Sequence, residues 1–71
     1  MKLSEVTDDG AHVKLTSDEL VILGNALNEI CNGLDIAEFA TRIGADRSEA
    51  MRLLKAIQSA HDQVANKTIT R

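Results

Sequence analysis

Three times along this chain a residue with a side-chain acceptor is followed, three positions later, by glutamate: Thr16 with Glu19, Asp35 with Glu38, and Asp46 with Glu49. That spacing lets the first side chain accept an orphan N–H of a starting helix while the glutamate reaches back to the N–H of the cap itself. The pattern predicts helices over residues 17–32, 35–43 and 46–65. Glycine punctuates the two interior ends. Gly33 is expected as the left-handed terminator of the first helix, and Gly44 as that of the second.

Apolar residues recur at helical spacing inside each segment. In the first, Leu20, Leu23, Leu27, Ile30 and Cys31 form one stripe, flanked by Gly24, where a neighbouring backbone can approach. Ile36, Phe39, Ala40 and Ile43 make the apolar side of the second. The third buries Ala50, Leu53, Leu54, Ile57, Ala60 and Val64, with His61 on the margin. The packing centre is expected around Phe39, Ile43 and Leu53.

Before the first helix, Asp8-Asp9-Gly10 separates two short β-compatible runs, and Asp-Gly favours a two-residue type I′ hairpin turn. A turn at Asp9-Gly10 sets Val6 opposite Val13, Glu5 opposite Lys14 and Ser4 opposite Leu15. Residues 2–16 thus read as a β-hairpin, the alternative being a disordered polar arm. Residues 66–71 read as a frayed tail, with their β-branched run offering a further strand as the alternative. The fold class is mainly α, a three-helix domain whose second and third helices are helix-turn-helix-like, preceded by a short N-terminal β-hairpin.

Seventy-one residues leave room for one domain and one small core. Chains this small are marginally stable unless a partner helps, so a homodimer is among the expectations. Cys31 is the only cysteine, which rules out an internal disulfide and a cysteine-held metal, and fits a reducing cytoplasm. The N-terminus lacks the apolar core of a signal peptide, and no apolar run is long enough to cross a bilayer. No membrane partner and no cofactor are expected.

Eight basic against eleven acidic residues give a net charge of −3, which disfavours nonspecific nucleic-acid binding. Asp18, Val21, Asn25, Asn28, Glu29 and Asn32 fall on the polar side of the first helix. Asparagine amides both donate and accept hydrogen bonds, so this row is a candidate protein-binding surface; a merely solvated helix face is the alternative. The second and third helices also match the helix-turn-helix pattern through Phe39, Ala40, Ile43, Gly44, Ala45, Ala50 and Leu53. In that alignment Arg47, Ser48, Met51, Arg52 and Lys55 lie on or beside a DNA-recognition helix. Asp46 and Glu49 stand at the same helix start, where they oppose phosphate.

Catalysis finds no support, because His12, His61 and Cys31 are scattered and no nucleophile stands beside a base. Metal-ligand spacings, phosphate loops and dinucleotide fingerprints are absent. The run Ala26-Leu27-Asn28-Glu29-Ile30-Cys31-Asn32-Gly33, followed by Glu38-Phe39 and Arg42-Ile43-Gly44, resembles a group of small uncharacterised bacterial proteins over about residues 15–57. That resemblance implies a helical fold, a bacterial origin and an immunity-like role against toxins. The leading expectation is a non-enzymatic protein-interaction module, immunity-like or a small regulator, with a helix-turn-helix DNA-binding protein as the alternative.

Overall fold

The computed structural model describes residues 1–69. Its elements follow in the order β1 (Lys2–Thr7), β2 (Gly10–Lys14), α1 (Ser17–Asn28), a π-helical turn (Glu29–Gly33), α2 (Phe39–Ile43) and α3 (Arg47–Ile69). The fold is mainly α, with three helices behind an antiparallel two-stranded hairpin.

Two of the three expected caps form. Thr16 Oγ1 accepts from the Glu19 N–H at 3.1 Å, and Glu19 Oε1 accepts from the Thr16 N–H at 2.9 Å. At α3, Asp46 Oδ1 accepts from the Glu49 N–H at 2.9 Å, and Glu49 Oε1 accepts from the Asp46 N–H at 3.4 Å. The middle cap does not form. Its helix is only Phe39–Ile43, starting behind Glu38, which is left-handed at φ 53° and makes no side-chain cap bond.

The failure begins at the end of α1. The chain widens there into a π turn, and the Leu34 N–H donates to the carbonyl of Glu29, five residues back, at 2.8 Å. Leu34 then leaves in an extended conformation that carries the chain away from helix at Asp35. Gly33 is not left-handed. A Cβ there would lie 2.7 Å from the Glu29 carboxylate, an exposed side-chain end that can swing aside. Gly44, at φ 90°, does end α2 as expected, its N–H donating to the Ala40 carbonyl at 2.8 Å.

The hairpin forms in a different register from the expected one. The turn residues are Asp8 and Asp9, none of Asp8, Asp9 and Gly10 has positive φ, and the Thr7 hydroxyl braces the turn against Asp9 Oδ1 (3.0 Å) and the Gly10 carbonyl (3.2 Å). Leu3 pairs with Val13, Glu5 with His12 and Val6 with Ala11, leaving Ser4 as a bulge whose hydroxyl donates to the His12 carbonyl. The bulge explains the register. Leu3 and Val6 are three apart, so an unbroken strand would put them on opposite faces; one extra residue brings both to the side of Ala11 and Val13. Lys2, Glu5, Thr7, His12 and Lys14 take the other face, where Glu5 meets His12 at 4.0 Å instead of Lys14.

α1 and α3 pack antiparallel. Arg47, opening α3, reaches the carbonyl of Cys31 at the end of α1, and farther along a Cβ on Gly24 would sit 3.7 Å from Ile57. The core between them consists of Leu20, Cys31, Ala50 and Leu54. The expected centre is therefore displaced: Phe39 is half-buried, Ile43 is 38% exposed and Leu53 is 53% exposed. Leu23 is also partly exposed, at 38%. The pairing of α1 with α3 selects the stripe running through Ala50, Leu54, Ile57 and His61, rotated from the one through Leu53. α3 also continues through residues assigned above to a tail, ending at Ile69, so neither a frayed end nor a strand forms over Asn66 to Ile69; the rest of that expectation, Thr70 and Arg71, lies outside the described residues.

The outcome is a thin molecule. Its extents are 45 × 31 × 16 Å and its radius of gyration is 14.0 Å, against about 11 Å for a compact domain of this length. Among the helices, α1 with its π turn and α3 make the extensive packing, and neither α2 nor the hairpin covers that pair as a second layer.

Candidate interaction surface

An antiparallel pair of helices has two sides, and helical geometry distributes the remaining residues between them. With roughly 100° per residue and the core direction set by Leu20 and Leu54, equal rotations on antiparallel helices lead to the same side of the layer. One side receives Asp18, Val21, Asn25, Asn28 and Asn32 from α1 and its π turn, with Glu29 at its outer edge. It also receives Ser48, Met51, Arg52 and Lys55 from α3. The two groups of candidate residues, far apart in sequence, thus share one polar side.

Their local environments differ. Asp18, Val21, Asn25, Asn28, Glu29 and Asn32 are all exposed. Asn32 Nδ2 donates to Asn28 Oδ1 at 2.9 Å, one turn away, so these two amides orient each other, while Asn25 stands a turn earlier on the same side. Val21, 42% exposed, supplies an apolar contact within the polar row.

The candidate DNA-reading residues are more strongly engaged by the fold. The Arg47 guanidinium donates to the carbonyl of Cys31, lies 3.4 Å from that of Ile30, and covers the Phe39 ring at 4.6 Å from its centroid. It thereby satisfies carbonyls loosened by the π turn and ties α1, α2 and α3 together. Ser48 donates to Asp46 Oδ1 at 2.7 Å, within the α3 cap. That hydroxyl and the Glu49 N–H hold the Asp46 carboxyl below its ordinary pKa, with the Arg52 charge adding to the effect. Met51 is half-buried; Arg52 and Lys55 are exposed. The role of Arg47 was illegible in the sequence because Cys31 and Phe39 lie sixteen and eight positions away, with no short-range pattern linking them.

The opposite side of the layer is apolar. It carries Ile22, Leu23 and Ala26 from α1, and Leu53, Ile57 and Ala60 from α3. Ile22 and Leu53 are 65% and 53% exposed. A shallow recess of about 190 Å³ opens there, lined by Met1, Leu15, Glu19, Ile22 and Leu23. Glu19 closes its rim. Its carboxylate accepts from the Met1 amino group and from Thr16, which together hold its pKa below the ordinary value. Strand alternation puts Met1 and Leu15 on the side of Leu3 and Val13, so the apolar face of the hairpin continues the recess. On this side the sequence singles out only Ile22, which points away from the core stripe of the first helix, where a partner or the hairpin could cover it. A further signal was present in the apolar hairpin residues.

The other chemistry-bearing groups remain apart. Cys31 is a buried free thiol, His12 sits on the charged face of the hairpin, and His61 is half-buried along α3. Among the described residues, no group of three or more His, Cys, Asp or Glu side chains is placed to hold a metal ion. Among them, too, no helix is long and apolar enough to cross a membrane. Comparison of the chain with models of protein families, with curated proteins and with solved structures gives no match.

Proposed function

We propose that this chain is a non-enzymatic protein-interaction module that presents the polar side of its helical layer to a partner protein. The observation that carries this reading is the exposed row Asp18, Val21, Asn25, Asn28, Glu29 and Asn32, none of which the core uses. Such a row offers amides that donate and accept, carboxylates that attract cations, and one apolar anchor at Val21. An immunity-like role, in which an acidic module covers a basic partner, fits the net charge of −3; a cytoplasmic location belongs to the same reading.

The test is affinity capture with the full chain as bait beside its Asn25→Ala/Asn28→Ala variant. Both substitutions lie outside the core, so the variant retains its helical circular dichroism. A protein retained by the parent chain and lost by the folded variant supports the reading. Capture that does not change removes this row from it.

DNA binding is the second reading, favoured by Arg52 and Lys55 on the exposed side of α3. Against it stand the engagement of Arg47 within the fold and the carboxylates of Asp18 and Glu29 on or beside the same side. Retention on mixed DNA that falls steeply with salt would favour phosphate contacts, and no retention at low salt would eliminate them.

A further inference from the structure

We propose that the apolar side of the helical layer is a self-association surface, and that its occupant is a second copy of this chain packed about a two-fold axis. The inference shares with the reading above only the premise of an interaction protein. It uses the opposite side of the layer, so either proposal can fail without the other.

A stable domain has at least two packed layers, because a helix stripe or a sheet face must be buried against something. This chain builds one layer from α1 and α3, whose enclosed core is Leu20, Cys31, Ala50 and Leu54, two of them small side chains. The usual reinforcements of a protein this small are disulfides, a metal or oligomerisation. Its single cysteine excludes an internal disulfide, and the described residues assemble no metal-binding cluster.

The molecule exposes 5657 Å², whereas a compact monomer of 7.7 kDa is expected to expose about 4,300 Å². The excess, roughly 1,300 Å², exceeds the ~800 Å² that each partner contributes to a standard specific interface. That excess is spread over the hairpin, α2 and both sides of the helix pair, and the uncovered apolar side is one part of it.

A two-fold interface sets one surface against an identical one, so any isolated charge on it meets its own copy. Ile22, Leu23 and Ala26 of α1 and Leu53, Ile57 and Ala60 of α3 carry none. Glu19 and Glu49 fall on the same side, at opposite ends of the helix pair, where they turn back to the Met1 amino group and to the Asp46 N–H. Two such layers, packed face to face, form a four-helix core of the kind that antiparallel helix pairs build.

The hairpin supports the same occupant. A two-stranded ribbon is marginal alone in water, yet Leu3 and Val6 on its apolar face are 58% and 69% exposed. The bulge at Ser4 is what collects Leu3, Val6, Ala11 and Val13 on one face. That face continues the recess beside Ile22 and Leu23, so a second copy seated on the helices also reaches the hairpin.

Sedimentation of the full chain at tens of micromolar tests the inference, beside Ile22→Glu/Leu53→Glu and, on the polar side, Val21→Glu. The parent chain and Val21→Glu are expected at twice the monomer mass of 7.7 kDa. Placing two charges in an apolar interface is expected to weaken the dimer at least ~100-fold and give a monomer. A monomeric parent chain overturns the proposal, as does a dimer that the double variant leaves intact. Should that variant unfold, isotope-filtered NMR on a mixture of labelled and unlabelled parent chain decides. Intermolecular contacts at the Ile22, Leu23 and Leu53 methyls support this face, and their absence refutes it.

Discussion

Replacing Arg47 by alanine removes a single side chain that reaches three segments of the fold. Its guanidinium donates to the Cys31 carbonyl on the π turn and covers the Phe39 ring of α2, while its backbone begins α3. A hydrogen bond made by a charged donor contributes about 1.5–3 kcal/mol, and a cation–π contact at an accessible site about 0.5–1 kcal/mol. Arg47 is itself partly in contact with water, so the lower ends apply and the sum is ~2 kcal/mol. The chain's whole stability is of order 4–10 kcal/mol, so this loss is a substantial fraction. In urea, with a slope near ~1 kcal/mol per molar for a protein this small, the midpoint should fall by about 2 M. Parent and variant are compared at one protein concentration, because association would raise both midpoints with concentration. A double-mutant cycle with Phe39→Leu should return a coupling of ~0.5–1 kcal/mol for the stacking. If Arg47→Ala shifted the midpoint by less than a quarter of the expected amount, the latch would be wrong and the arginine would be available for ligand contacts.

Other outcomes follow from the same packing. Leu54→Ala, at a position 2% exposed, should cost about 2–5 kcal/mol, and Phe39→Ala, at a half-buried ring, should cost less; denaturant titration that ranks them the other way would restore the centre to Phe39. Gly44→Ala should destabilise by about 1–2 kcal/mol because a Cβ is forced into the left-handed region, although no neighbour crowds it. Gly33→Ala should cost less, since the Cβ meets only the flexible end of Glu29; thermal melts of both variants check the order. The carboxyls of Glu19 and Asp46 are both held below their ordinary values by donors in the folded state, the first chiefly by the Met1 amino group and the second chiefly by Ser48. Their contribution is therefore complete above the unfolded-state values and is lost as pH falls through the lowered ones, so melting temperature should decline in acid. Asp46→Asn should flatten that decline, which melts across the acid range would show.

The candidate surface was half legible in the sequence. The row from Asp18 to Asn32 could be read from one helix because helical spacing alone places those residues together. That Ser48, Met51, Arg52 and Lys55 share its side could not, because this depends on the antiparallel pairing of α1 with α3. Apart from Ile22, the apolar side was missed for the same reason: Leu53 satisfies helical periodicity as well as Leu54 does, and only the position of α1 decides which is covered.

What the sequence determined by itself was local. The Thr16–Glu19 and Asp46–Glu49 caps and the turn at Gly44 are satisfied within four residues, by bonds whose partners the chain supplies wherever the segment lies. The repeated cap pattern failed only at Asp35, where the π turn before it had already committed the backbone to an extended path. The tertiary structure decided the rest: the Ser4 bulge that sorts the hairpin's faces, Arg47 bridging to Cys31 and Phe39, and the division of one helical layer into a polar and an apolar side. Those features depend on where separate segments lie in space, and their energies come from contacts that no short stretch of chain can make within itself.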